Sequence, residues 1–308
     1  MKRALLLAAC AGALALAASA SGKPPAPAGA PTLRVVDFNV LAPVWASPVW
    51  YPEGMDPSLL DTVYRRALIT SFLSSRAATT DVFCLQEVQE SELPFFLAAL
   101  GPRFVGAISH NDPDWWENWL VLEIPWAPNG TAVIVKRSSL SGRFEDLAIS
   151  DDGNHALLFE GTYRPTGARM RVASVHLDSD SESNRVREAR SLLEQMPEDA
   201  AATDIACGDM NQDTERGSLS NLLGSAHFVN VLAALGNREP THPWSTTYYA
   251  SDKWAILDHV LVRHGVPLGG DVLDFGVWSI TDQVARIEAN FRNTGSDHFP
   301  LEASIGLD

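Results

Sequence analysis

The chain has 308 residues, with 23 Lys and Arg against 38 Asp and Glu, and a formal net charge of −15. So acidic a body repels polyanions at long range, so no stable complex with nucleic acid is expected from its charge. A tight nuclease is disfavoured, although a divalent cation and a local basic patch can reverse the field inside a cleft.

The chain opens on MKRALLLAACAGALALAASA, where Lys2 and Arg3 precede an apolar run from Ala4 to Ala17. That run is too short to span a bilayer comfortably, and the small residues Ala18-Ser19-Ala20 make a cleavage site. Cleavage after Ala20 and export to the periplasm or the medium are the expectation. Removing Lys2 and Arg3 takes the net charge to −17. A lipoprotein site at Cys10 ranks lower, because only six apolar residues would precede the cysteine. Residues 21–32, rich in Pro, Ala and Gly, read as a flexible linker, and 33–308 as the folded domain. About 275 residues are enough for one large domain or two small ones. No later segment is apolar for long enough to cross a membrane, and the mature protein is expected to be a soluble monomer.

The first strand candidate is Leu33 to Val40, which puts Val36, Phe38 and Val40 on one face and Val35, Asp37 and Asn39 on the other. Helical spacing follows over Ser58 to Arg76 and over Ser91 to Leu100, with FCLQEV between them. TAVIVKR, ALLFEGTY and RMRVASVHL are further strands. A helix over Glu182 to Met196 places Val186, Ala189, Leu193 and Met196 on one side, with Arg and Glu opposite. TDIACGDM, a short helix from Ser218 to Leu223, AILDHVLV and LEASI complete the pattern. Many strands with interspersed helices predict sheets packed with helices outside, an α/β sandwich. Cys84 and Cys207 sit inside apolar runs. They can pair only if their Cα atoms lie within about 7 Å, which the sequence does not decide, and two buried free thiols rank no lower than a disulfide.

Strand after strand ends on a polar group: Asn39, Glu87, His176, Asp209 with Asn211, Asp258, and finally Asp297-His298 in a Gly-Ser turn. Converged on one sheet edge, such groups would make a site. Carboxylates and amide oxygens without thiolates favour a hard cation, Mg²⁺, Mn²⁺ or Ca²⁺, over zinc. Imidazoles can then move protons or clamp phosphate oxygens, the parts of a phosphoester hydrolase.

FNVL, LQEV, NGTAVIVKR, VHL, CGDMN, LDHVLV and SDHFPL, in this order from about Leu33 to Ile305, resemble the motif series of the endonuclease/exonuclease/phosphatase superfamily of metal-dependent phosphoesterases. NVLAPVW, YRRALI and LQEVQESELPFF look closest to its deadenylase-like nocturnin and angel branch. The resemblance implies a four-layer α/β/β/α sandwich of two packed mixed sheets flanked by helices. It also implies metal ligation by Glu87, with Asn39 and Asp297 near the metal. Asp209 would position or deprotonate the attacking water, and Asn211 would hold that water or the phosphate. His298 would contact the phosphoryl oxygen, oriented by Asp258, and His176 would be the second imidazole. The departures are Met210 for Phe or Leu, His259 where Tyr is frequent, and Ser174 where Asn or Thr often stands.

The implied substrate is a small phosphodiester, nucleotide, nucleic acid or phospholipid headgroup. A noncatalytic binding domain is the rival from another class, and it predicts loss of Glu87, Asp209 or His298, all of which are present. His110, His155, His227, His242, His259 and His264 are given structural roles, and Arg185, Arg187 and Arg190 a solvated helix face. The aromatics at Trp45, Trp50 and Tyr51, at Trp115, Trp116 and Trp119, and at Trp244, Tyr248 and Tyr249 lie in loops. They are expected to plug the core beneath those loops, with base stacking or insertion at a lipid surface as the alternative.

Overall fold

The computed structural model describes residues 31–112, 128–151, 153–242 and 255–307. Among them, strands β1 (Thr32–Asn39), β2 (Val82–Gln89), β3 (Phe104–His110), β4 (Asn129–Lys136), β11 (Val266–Val272) and β12 (Leu301–Gly306) make one sheet, in the order β11-β12-β1-β2-β4-β3. The second sheet runs β5-β6-β7-β8-β10-β9, from β5 (Leu140–Ala148), β6 (His155–Tyr163), β7 (Ala168–His176), β8 (Ala202–Asp209), β9 (Val229–Asn230) and β10 (Asp258–Arg263). Both sheets are mixed, with β1 parallel to β2 and β7 parallel to β8.

Three apolar layers hold the sandwich together. Leu33, Val35, Val133, Val172, Ile205 and Val260 fill the space between the sheets. Val36, Phe38, Phe83 and Ile134 point the other way, onto α1 (Thr62–Arg76) and α2 (Leu93–Leu100) through Ile69, Leu73 and Phe96. On the far side Ala173, Val175 and Ala206 pack on α3 (Glu182–Gln195) and α4 (Gly217–Ser225). Each fully buried Leu, Val or Phe side chain contributes about 1.5–3 kcal/mol, so both faces of β1 and β8 are strongly specified. This is the expected four-layer α/β/β/α arrangement.

The helices start where side chains satisfy their first amides. The Asp61 carboxylate accepts from Tyr64 N at 2.8 Å and Ser181 Oγ from Asn184 N at 3.3 Å. Another helix, α6 (Gln283–Thr294), absent from the sequence reading, is capped by Asp282 and ends on Gly295 at φ 79°. Its buried face, Ile287, Asn290, Phe291 and Thr294, is half polar, which hides the helical period. The short α5 (Val231–Ala234) and strands β3, β5, β9 and β11 were also not expected. Glycine, proline and charge interrupt alternation in FVGAISH, LSGRFEDLA and VPLGGDV, and VN is too short to show it.

Cys84 on β2 and Cys207 on β8 form a disulfide across the sandwich, with Cα atoms 6.2 Å apart. The question left open by the sequence is thereby closed in favour of the bridge.

Candidate active site

Strand register brings the polar strand ends to one edge. Asp209 at the end of β8 lies opposite both His176 of β7 and Asp258 of β10. Asn39 closes β1 and stands next to Gln86 of β2, while Leu301 pairs with Asp37, so the Asp297-His298 turn falls beyond the end of β1. The ladder between β2 and β4 shifts register between Leu85 and Val88, and inside that bulge Glu87 adopts a left-handed conformation with φ 57°. Such a bulge re-aims a side chain out of the alternation. Gly208 has φ 151°, and a Cβ there would fall 1.9 Å from Val175 O, so only glycine lets β8 run this close to β7 before Asp209.

The sheets meet through hydrogen bonds at this edge. Asn39 Nδ2 donates to Glu87 Oε1 at 2.9 Å and to Asp209 Oδ2 at 3.1 Å, and its Oδ1 accepts from Leu41 N. Glu87 Oε2 accepts from Ala42 N at 2.9 Å. Asp209 is the hub: its Oδ2 lies 3.6 Å from His298 Nε2 and 3.7 Å from His176 Nε2, and its Oδ1 accepts from Asn211 N at 2.9 Å. Asn211, also left-handed at φ 50°, donates its side-chain amide to Leu177 O. Asp258 Oδ2 binds His298 Nδ1 at 2.8 Å, so His298 Nε2 faces Asp209. Asp297 accepts from Tyr51 OH at 3.0 Å.

The charges follow from this geometry. Burial opposes charging His298, but the carboxylates of Asp258 and Asp209 outweigh it and hold the imidazole well above the ordinary histidine value. Burial would raise Asp209, yet His298 and His176 beside it draw the carboxyl below its usual range. Asp297 is likewise lowered against its burial, by His242, His298 and Tyr51. Asp37, one alternation below Asn39 on the inter-sheet face, is raised by burial and by Asp258, against the Gln86 amide that donates to it at 2.9 Å.

Several supporting residues were invisible in the sequence. Arg65 of α1 is buried and donates to Gly295 O at 2.8 Å, Val40 O at 2.7 Å and Leu41 O, clamping the segments after Asn39 and before Asp297. Arg185 is buried rather than solvated as expected, because its guanidinium bonds Asp178 O at 2.8 Å and Gln212 Oε1 at 3.3 Å; Arg187 and Arg190 are exposed as anticipated. His259 is buried and lowered by that burial; it bonds Gln212 O at 2.8 Å through Nε2 and fixes the loop after Asn211. His242, given a structural role from the sequence, packs edge-on against His298 with ring centroids 4.5 Å apart. Tyr51, Trp45 and Trp50 do pack beneath their loop, with Leu59 and Phe291. The other aromatic groups, Trp115 to Trp119 and Trp244 to Tyr249, fall outside the described residues.

The donor set fits a hard divalent cation. Glu87, Asp209 and Asp297 bring carboxylate oxygens to one edge beside the Asn39 amide, and among the described residues each Glu87 oxygen accepts one hydrogen bond, with further lone pairs to offer.

The catalytic domain of human nocturnin with a bound sulfate is a structural neighbour at TM-score 0.66 and 18% identity, over 90% of this chain and 94% of that one. ANGEL2, described as a 2',3'-cyclic phosphatase, follows at 0.62 and 16%, over 89% and 95%. An endonuclease/exonuclease/phosphatase from Bacteroides vulgatus gives 0.65 and 14%, over 90% of this chain and all of the other. At these identities the likeness establishes the fold. No curated protein matches the chain. The Endonuclease/Exonuclease/phosphatase family profile matches residues 38–298, which contain all eight residues of the edge. The chain therefore belongs to the endonuclease/exonuclease/phosphatase family, whose members are phosphoric ester hydrolases.

Proposed function

We propose that this protein is an exported, divalent-metal-dependent phosphodiester hydrolase. The observation that carries the reading is Asp209: a buried carboxylate between two imidazoles at 3.6 and 3.7 Å, one of them oriented by a second buried carboxylate. Glu87 and Asp297, with Asn39 beside them, would hold Mg²⁺, Mn²⁺ or Ca²⁺, and the bound cation would supply Lewis-acid withdrawal of charge from the phosphoryl group.

Asp209 accepts a proton from the water whose oxygen forms the new bond to phosphorus, with Asn211 holding that water or a phosphate oxygen. Negative charge grows on the phosphoryl oxygens, and the His298 imidazolium donates a hydrogen bond to one of them. Asp258 fixes His298 in the tautomer that points Nε2 at the substrate. His176 gives a proton to the leaving oxygen as its bond to phosphorus breaks.

The basic start, the apolar run from Ala4 to Ala17 and the small residues Ala18-Ser19-Ala20 support export, as does the disulfide joining β2 to β8, since such bonds persist in oxidising compartments. No helix among the described residues is long and apolar enough to cross a membrane. The −15 charge favours a small phosphodiester, a nucleotide or a phospholipid headgroup over a tightly held polynucleotide.

The test is hydrolysis of bis-p-nitrophenyl phosphate and p-nitrophenyl phosphate by the mature protein, with each cation and with EDTA. Cation-dependent release from the diester is expected, and Glu87→Gln should abolish it while leaving the circular dichroism spectrum and thermal midpoint in place. Preference for the monoester would redirect the assignment to a phosphatase. Survival of turnover in Glu87→Gln would refute the site.

A further inference from the structure

We propose that His242, Asp297 and His298 form a second cation site beside the Glu87 carboxylate, one that takes a nitrogen-accepting transition cation such as Zn²⁺ or Co²⁺ and blocks turnover when filled. His242 is 1% exposed, its N donates to Ala255 O at 3.2 Å, and its ring packs edge-on against His298. Its Nε2 lies 3.9 Å from Asp297 Oδ2, a gap that two metal bonds of about 2.0–2.2 Å each can close. Ligand atoms of His242, Asp297 and His298 all lie within 4.8 Å of one another.

The surroundings of the three residues are those of a metal site. Asp258 engages His298 Nδ1 at 2.8 Å, which leaves Nε2 as the ring nitrogen with a lone pair to offer, the carboxylate–imidazole–metal pattern. Tyr51 OH anchors Asp297 at 3.0 Å. Asp209 Oδ2 lies 3.6 Å from His298 Nε2 and belongs to a different group, with Asp258, so the remaining positions on the cation fall to water. Two imidazoles and a carboxylate suit zinc-like cations, whereas the Glu87 carboxylate offers only oxygen and suits Mg²⁺. One protein edge thus presents two donor chemistries that share Asp297.

Inhibition follows from His298. A cation on its Nε2 occupies the lone pair that otherwise carries the proton offered to the phosphoryl oxygen, and the clamp is lost while Glu87 stays free to hold Mg²⁺. Only this consequence rests on the proposed hydrolase activity; binding of the cation does not.

The experiment uses the mature protein with saturating Mg²⁺. Zn²⁺ binding is followed by calorimetry and Co²⁺ by its visible absorption, alongside diester hydrolysis. One Zn²⁺ equivalent is expected to bind without displacement by Mg²⁺ and to suppress hydrolysis. His242→Ala should weaken Zn²⁺ roughly 100-fold or more and remove the Co²⁺ band. His242→Phe keeps a ring against His298 and should lose the cation equally, which separates ligation from packing. Glu87→Gln should keep both signals while losing turnover. Zn²⁺ affinity unchanged in both His242 variants, or lost in Glu87→Gln, would overturn the second site. Zinc bound through His242 in a protein without hydrolysis would uphold the site and remove the phosphoesterase reading instead.

Discussion

At the scale of single residues, function depends on how buried charges are paired. His298 is the clearest case, because the same Asp258 carboxylate both orients its ring and stabilises its charged form. The acid form of His298 is the working form, so activity should persist up to its raised pKa and fall as the pH rises through it. In Asp258→Asn the raising carboxylate is gone. The alkaline limb of the kcat profile should move to lower pH, and kcat should drop on the order of 10²–10⁴ with little change in KM. A limb that stays in place would show that Asp258 does not set the charge of His298. His259 has the opposite electrostatics: buried and bonded to Gln212 O, it is held neutral and acts as a strut.

At the scale of elements, α1 does more than cover its sheet. Its Arg65 reaches through the core to carbonyls of two segments, one following Asn39 and one preceding Asp297. A guanidinium with five donors can hold three carbonyls in fixed directions, which an ammonium on a flexible stem cannot. Arg65→Met keeps most of the volume but leaves those buried carbonyls short of donors. It should destabilise the fold by about 2–5 kcal/mol in urea unfolding. Mg²⁺ affinity, measured by calorimetry below the unfolding transition, should fall at the same time because Asn39 and Asp297 both loosen. Equal affinity in the folded variant would confine Arg65 to stability.

At the scale of the whole molecule, the two sheets are joined by apolar packing, by hydrogen bonds such as Asn39 to Asp209, and by a disulfide. The Cys84–Cys207 bridge links residues 123 apart, each close in sequence to a site residue, Glu87 and Asp209. Closing so long a loop restricts the unfolded chain, and the paired Cys84→Ala, Cys207→Ala variant should lose about 3–5 kcal/mol of unfolding free energy. Chemical denaturation with and without reductant measures this. The reduced wild-type protein and the variant should converge on one midpoint. A variant as stable as the oxidised protein would show that packing alone fixes the sheets.

Local patterning along the chain specifies the layered α/β class, most strands and helices, and the order in which polar residues close the strands. Those signals are local: alternation in LRVVDFNV and helical spacing in Val186, Ala189 and Met196 are set by neighbours a few positions away. It missed α6, whose inner face carries Asn290 and Thr294, and β11, broken by Pro267 and two glycines, because tertiary contacts rather than pattern stabilise them. That the cysteines pair, that Arg65 and Arg185 are buried, and that His242 lies against His298 follows from long-range packing alone. Tyr51 and Asp297 stand 246 residues apart and meet through one hydrogen bond. Such a contact is created by the pairing of β1 with β12, which brings the loop after one strand against the turn before the other, and no periodicity along the chain encodes which distant residues that pairing brings together.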